Sequence, residues 1–374
     1  GGKPFRGALP KPAAKGGWYR DIAVLAIQET EAQSKPPSID GDAAIKRLKW
    51  LRYIGYKGAA SAPLAATAPA DLCIPRKNIV DVTSRLSADG ILAWNPPPGD
   101  WTLLRFGHTW TGQETLPATP EGLGPECDKL DPRGIQLHFD HVMKRLIALG
   151  GPASGANFHS FFADSWEAGG QNWTEKMPEE FRRRRGYDPI PFLPIFTGRV
   201  LDDLQTSERF LYDLRQTVSE LATENFWGEL RRLCNAHGMR VAAEPYITTG
   251  NDLDAGNHLD EPMGELWMPN SGADVYRHTI KLASSMANLN GKSRVGVEAF
   301  TANQLERWRS HPGTLKPFAD QIFCLGGNRL QVHRFAMQRF PNIKPGMMMG
   351  PWGQQYDSTQ TWWEWSKPWH DYLA

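Results

Sequence analysis

From about residue 130 onward the chain alternates short apolar runs with amphipathic helical stretches. Three of the runs end on a glutamate: Phe158–Glu167 (FHSFFADSWE), Met239–Glu244 (MRVAAE) and Arg294–Glu298 (RVGVE). Apolar runs of this length between turn signals read as parallel strands buried on both faces. Strands alternating with helices imply a parallel sheet with right-handed crossovers. A carboxylate at the carboxyl end of such a strand lies where barrels and open α/β sheets carry their chemistry. One glutamate so placed serves equally well as an ion-pair partner. Three of them, with Glu265 in GELW as a fourth, point to a carboxylate-lined pocket.

The helical stretches are legible by period and cap. Asp131–Leu149 opens on Asp-Pro and sets Ile135, Phe139, Val142 and Leu146 near one face. A second stretch runs from about Thr206 to His237, with Gly238 placed as its C-cap. Further helices are expected at Asp274–Leu289 and about Leu315–Leu325. Between them lie strands at Phe158–Asp164, Met239–Glu244, Gly264–Met268, Arg294–Ala299 and Asn328–Phe335. A (β/α)8 barrel has eight strands. The expected fold is therefore α/β, a partial (β/α)8 barrel carrying about strands four to eight. A five-stranded open α/β sheet is the alternative.

Residues 1–115 read differently. Arg20–Ile27, Asn78–Thr83, Gly90–Trp94 and Asp100–Trp110 are β-rich and punctuated by turns such as NPPPGD. They suggest an N-terminal β-sandwich-like insertion, leaving 116–374 as the barrel portion. The chain begins GGKPFRG and stops inside an amphipathic stretch, so both ends look cut.

Composition excludes some classes. A net charge of +1 with no basic stripe argues against a nucleic-acid partner. A mean hydropathy of −0.48 with no long apolar run argues for a soluble globular protein and against a membrane partner. The Arg182–Arg185 run reads as a solvated helix end. Cys73, Cys127, Cys234 and Cys324 are too scattered for a zinc site or disulfide framework, and read as small buried hydrophobes. Among fifteen tryptophans, Trp362, Trp363, Trp365 and Trp369 form the densest group, read as core or lid packing.

Several long segments, in order along the chain, carry a resemblance: DGILAWNPPPGDWTLLRFGHTWTGQ, GLGPECDKLDPRG, FFADSWEAGGQNWT, RVAAEPY, DEPMGELWM, VGVEAFTA and MGPWGQQYDSTQTWWEWSKPWHDYLA. Together they resemble glycoside hydrolase family 106, the α-L-rhamnosidases, across its central catalytic portion. The resemblance implies an inverting hydrolase on a (β/α)8 barrel that releases terminal α-L-rhamnose from plant polysaccharides or glycosides. It also implies a periplasmic or extracellular parent protein, whose first barrel strands lie upstream of this chain. A non-catalytic sugar-binding protein on the same fold is a second reading. A hydrolase of another deoxy-sugar or of a uronic acid linkage is a third.

Inversion needs a carboxylic acid to protonate the leaving oxygen and a carboxylate on the opposite face to activate water. Glu167, ending the fourth strand beside Asp164, is expected as general acid. Glu298, ending the seventh, is expected as general base, with Glu265 as the alternative base. Asp164, Glu244, Trp166, His333, Arg334 and Trp267 are expected to bind substrate. Trp173, Trp267, Phe300 and Trp352 are candidates for an apolar patch against the C6 methyl of rhamnose. Glu126 and Asp128 either reach the site or pair with Lys129. No cofactor is required by the sequence. Calcium is the metal the resemblance allows, with Glu244, Glu265, Asp260 and Glu261 as candidate ligands and Asp252 and Asp254 nearby; hard oxygen donors suit it.

Overall fold

The computed structural model describes residues 2–12, 14–34, 70–115, 118–246, 250–268, 277–302, 309–334, 342, 356, 358 and 360–374. The chain groups into two compact units. The first comprises Gly1–Leu137, Glu167–Phe226 and Thr248–Gly250; the second comprises His138–Trp166, Trp227–Ile247 and Asn251–Ala374.

In the first unit the strands are β1 (Phe5–Ala8), β2 (Arg20–Gln28), β3 (Ile79–Asp81), β4 (Ile91–Trp94) and β5 (Trp101–His108). β2 is the centre of an antiparallel sheet ordered β3-β2-β5, and β1 pairs antiparallel with β4. Ala23–Ile27 of β2 are all buried. Successive strand residues point to opposite faces, so both faces must be covered. Ala23 and Leu25 pack on Ile190 and Leu193, while Val24 and Ala26 pack on Val82 and on Leu92 of β4.

This unit also holds α1 (Met177–Arg185) and α2 (Leu204–Ala222), the latter capped by Asp203 accepting from the Thr206 N–H at 2.6 Å. The arginine run at the end of α1 is only partly the solvated end expected from sequence. Arg182 and Arg183 are exposed, but Arg184 is tucked in and tied to Glu180 at 3.2 Å and to Glu220 of α2 at 3.0 Å, with Glu224 as a third partner.

The second unit holds β6 (Ser160–Ala163), β7 (Arg240–Ala243), β8 (Glu261–Trp267), β9 (Gly296–Thr301) and β10 (Arg329–Val332). All neighbours are parallel, in the order β10-β9-β8-β7-β6. Strands adjacent in sequence are thus adjacent in space with no reversal of order. A doubly wound sheet reverses at a switch point, so this order is consistent with part of a barrel. Helices α3 (Glu229–Asn235), α4 (Arg277–Leu289), α5 (Pro312–Leu325) and α6 (Lys367–Leu373) belong to the same unit. Leu266, Val297 and Ala299 pack against Ile280 of α4 and Leu315, Ala319 and Ile322 of α5.

Local details depart from the sequence reading. Phe139–Met143 form a π-helical turn. Such a turn advances the chain by an extra residue, so Phe139 and Met143 are buried while Val142 and Leu146 are exposed, contrary to the expected face. Of the late tryptophans, Trp369 is buried, donates to the Tyr356 hydroxyl at 2.7 Å and lies 6.1 Å from the Phe300 ring, whereas Trp365 is exposed. Cys324 is exposed rather than buried. No described helix is long and apolar enough to cross a membrane.

Candidate active site

Strand parity decides which side chains meet. In the parallel register Glu265 of β8 lies beside Glu298 of β9, and Glu298 in turn beside Gln331 of β10. Their sequence neighbours Leu266, Val297 and Ala299 face α4 and α5. At Gly264 the helix is so close that an added Cβ would lie 2.5 Å from the Ile280 nitrogen. Because alternate residues take opposite faces, Glu265 and Glu298 point away from the helices. Met263 lies on that same face and occupies the space that Gly296 leaves open, 2.3 Å from where a Cβ would stand. The other two acids follow the strand ends directly: Asp164 after Ala163 of β6, and Glu244 after Ala243 of β7. Those alanines are register partners, and the Glu244 N–H donates to the Ala163 carbonyl at 3.2 Å.

Asp164, Glu244 and Glu298 each offer an oxygen within 4.8 Å of the others. Glu244 is fully buried. One of its oxygens accepts from the Tyr246 hydroxyl, and the other has no hydrogen-bond partner among the described residues. Burial, then the charges of Glu298, Glu265 and Asp164, hold its carboxyl well above the usual range, against the pull of the Tyr246 bond. Burial raises Tyr246 in turn, and Glu244 adds to it. Glu265 is pushed up to about 8, mainly by burial and also by Glu298 and Asp164; the Trp267 indole N–H, 2.7 Å from its carboxylate, opposes the rise. Burial and mutual repulsion therefore raise two neighbouring carboxyls of this site above the ordinary range, which is the setting of general-acid chemistry and of carboxylates that take a cation.

Glu298 sits differently. The Thr301 hydroxyl donates to Oε1, and His333 Nδ1 lies 3.6 Å from the same oxygen, just beyond hydrogen-bond range. Burial, then Arg334, keeps His333 below its ordinary range. Thr301 reaches Glu298 through an irregularity. Phe300 has φ +66°, and the register with β8 slips so that Trp267 pairs with Thr301. The bulge sends the Phe300 ring into the core with Ala299 and turns Thr301 to the carboxylate side. A non-glycine residue in that region costs about 1–3 kcal/mol and persists only where surroundings enforce it. Neither Thr301 nor Tyr246 was singled out from sequence. Tyr246 follows Glu244 in EPY, but no local pattern announces a bulge at an aromatic residue.

The remaining sequence candidates are placed as follows. Trp166 is buried in the second unit, and Trp267 contacts Glu265. Glu167 is exposed and belongs to the first unit. Asp260 and Glu261 stand at the amino end of β8, four or more residues before Glu265. Asp260 is taken by Arg231 at 2.8 Å and by the Val241 N–H at 3.0 Å, and Glu261 is paired with Arg329 at 2.5 Å. Their ion pairs and their place at the amino end of the strand set them apart from the carboxylates gathered at the other end. Asp252 and Asp254 lie in the first turn of a short helix capped by Asn251. Phe300 is core, so it forms no methyl patch beside these carboxylates, and Trp173 packs on the Leu25 and Leu193 cluster of the first unit. Trp352 lies outside the described residues. Glu126 pairs with Lys129, and Asp128 accepts from Thr174 at 2.7 Å, both within the first unit.

Carboxyls gathered at the carboxyl ends of parallel strands, two of them raised by burial and one accepting a hydroxyl hydrogen bond, are the equipment of a glycoside hydrolase. Comparison with known proteins gives the narrower class. Residues 50–374 match the Glyco_hydro_106 family, alpha-L-rhamnosidase, and the chain belongs to that family. A protein of Formosa agariphila named "Putative beta-glucuronidase" is 31% identical over the whole chain. The rhamnosidase from Novosphingobium sp. PP1Y superposes with a TM-score of 0.74 and 32% identity over 80% of this chain. The chain spans only 31% of the first and 30% of the second.

Proposed function

We propose that this chain is the central catalytic portion of an inverting glycosidase that removes terminal α-L-rhamnose from plant polysaccharides or glycosides. The five parallel strands act as strands four to eight of a (β/α)8 barrel. The first three strands are supplied upstream, and residues 1–115 form an inserted β module. The observation that carries the reading is the convergence of Asp164, Glu244, Glu265 and Glu298 on four adjacent strands, in a member of the rhamnosidase family.

Glu298 is the proposed base. The Thr301 hydroxyl stabilises its anion, and an ionised carboxylate takes a proton from the attacking water. Glu167 is the proposed acid that protonates the leaving oxygen. Glu265 holds a proton at neutral pH and is the alternative for a proton-transfer role. Trp267 orients Glu265, and His333 and Arg334, at the end of β10, are placed to bind sugar hydroxyls.

Calcium fits the site. Asp164 and Glu244 offer hard oxygen donors beside Glu298, which stays the base, and one Glu244 oxygen is a buried acceptor with no hydrogen-bond partner among the described residues. These residues would hold it, and it would relieve their mutual repulsion and supply ligand positions for sugar hydroxyls. A periplasmic or extracellular setting, where calcium is plentiful, accords with this.

The β-glucuronidase name of the Formosa relative favours a uronic acid substrate as the second reading. A uronate brings another negative charge to a group of carboxylates, which disfavours it unless the cation is bound. Release of L-rhamnose from an aryl α-rhamnoside by the intact protein, with the β-anomer as the first product seen by NMR, tests the proposal. Glu298→Gln should lower kcat by about 10²–10⁴-fold. Release of glucuronate from an aryl β-glucuronide with the rhamnoside left intact, or of the α-anomer of rhamnose first, would overturn it.

A further inference from the structure

The first unit contains an open cavity of about 800 Å³, within the roughly 300–1,000 Å³ typical of small-molecule sites. Its walls carry three indoles, Trp18, Trp110 and Trp173, interleaved with His108, Asp128 and Asn172. None of these residues belongs to the carboxylate group of the second unit.

The lining is built rather than incidental. Trp18 meets His108 edge to face, with centroids 5.2 Å apart at 86°, and its carbonyl accepts from the Thr109 hydroxyl. Gly16 has φ +59°, and a Cβ there would lie 3.3 Å from Trp110 Nε1, so bare backbone rests on the indole. Trp173 is braced by the apolar cluster of Leu25 and Leu193. Beneath them Gln171 ties two loop positions together, accepting from the Lys129 N–H and donating to the Cys127 carbonyl, each at 2.8 Å. The Asp128 carboxylate is fixed by the Leu130 N–H at 2.9 Å and the Thr174 hydroxyl at 2.7 Å.

Charge selects the ligand class. Among the described lining residues there are two carboxylates, Glu126 and Asp128, and no lysine or arginine. Burial also holds His108 below its ordinary range, which disfavours a charge on it. Arg20 lies over the Trp18 ring at 5.8 Å and Lys129 is paired with Glu126, so the lining itself offers phosphates, nucleotides and uronates carboxylates rather than a counter-charge. A neutral ligand with apolar C–H faces and several hydroxyls matches indole faces alternating with polar tips.

We propose that this cavity is a second carbohydrate site that binds a neutral saccharide without acting on it. The ligand class rests on the reading of the protein as one that works on glycosides. The test uses the intact protein carrying Glu298→Gln, so that the probe is not consumed, labelled with 5-fluorotryptophan and titrated with the neutral disaccharide rutinose, followed by ¹⁹F NMR. Resonances of Trp18 and Trp110, assigned by Trp→Phe substitution, should shift saturably with rutinose and not with digalacturonate. Trp110→Ala should weaken rutinose binding about tenfold as read at the Trp18 resonance, and Trp110→Phe should retain most of it. Unmoved Trp18 and Trp110 resonances, equal shifts with digalacturonate, or full affinity in Trp110→Ala would each overturn the proposal. Hydrolysis of rhamnosides is scored separately. Its absence with the shifts intact refutes the catalytic proposal and leaves this one standing.

Discussion

Both compact units bury glutamates, and they treat them in opposite ways. In the first, Glu29 is almost fully buried and gripped by both arms of Arg199, at 3.0 and 3.1 Å, with the Thr102 hydroxyl as a further donor. In the second, Glu244 is equally buried, but the charges that perturb it most are other carboxylates, and one of its oxygens has no hydrogen-bond partner. A buried anion closed by an arginine fork is a structural fastening. A buried acid surrounded by acids costs folding free energy, and is retained where a proton, a cation or a substrate completes it.

The sharpest way to break that contrast is a pair of isosteric substitutions. Glu29→Gln leaves the Arg199 guanidinium buried without its counter-ion and should cost about 3–5 kcal/mol in denaturant unfolding. Glu244→Gln, in chelator, should cost nothing or stabilise, because it removes a repelled acid. Equal losses would erase the distinction between the two sites.

The titration of Glu265 has a defined sign. Its folded pKa of about 8 lies above the ordinary 4.5. The stability associated with its proton is therefore fully present below about pH 4.5 and is lost as pH rises through about 8. Within that window the slope is roughly 1.4 kcal/mol per pH unit. Unfolding curves in chelator from pH 5 to 9 should show this fall, and Glu265→Gln should flatten it. An unchanged slope in the variant would assign the pH dependence elsewhere.

Calcium should raise Tm of the wild-type protein, since a ligand that binds only the folded state stabilises it by about 2.7 kcal/mol at a hundredfold excess over Kd. Glu244→Gln should lose most of that rise, whereas Glu261→Gln, at the amino end of β8, should keep it. A calcium response that survives Glu244→Gln would move the cation away from the strand ends.

The smallest expected effect is at Thr301. Thr301→Val removes one hydrogen bond to a charged acceptor, worth about 1.5–3 kcal/mol. It should lower kcat by roughly tenfold or somewhat more and raise the lower pH limb of the activity profile, while Thr301→Ser restores both. A loss confined to KM would assign Thr301 to substrate binding instead.

Much of this architecture was legible in the chain. The five strands fell within a few residues of their expected places, and Asp164, Glu244, Glu265 and Glu298 were picked out by their position at or near strand ends. What was not legible depended on distant partners. The NDLDAGNHLDE acids looked like cation ligands until Arg231 and Arg329 were seen to neutralise Asp260 and Glu261. The π turn at Phe139–Met143 moved Val142 and Leu146 out to solvent, and the bulge at Phe300 brought Thr301 to Glu298.

The sequence by itself determined the alternation of strand and helix, the placing of acids at strand ends and membership in the rhamnosidase family. These rest on period and local pattern, which neighbouring residues set among themselves. Only the tertiary structure decided which acids are answered by arginine and which face one another, which hydroxyl supports Glu298, and where the indoles of the first unit gather. Those are fixed by contacts between segments tens to more than a hundred residues apart, as with Glu29 and Arg199, and no local pattern encodes them.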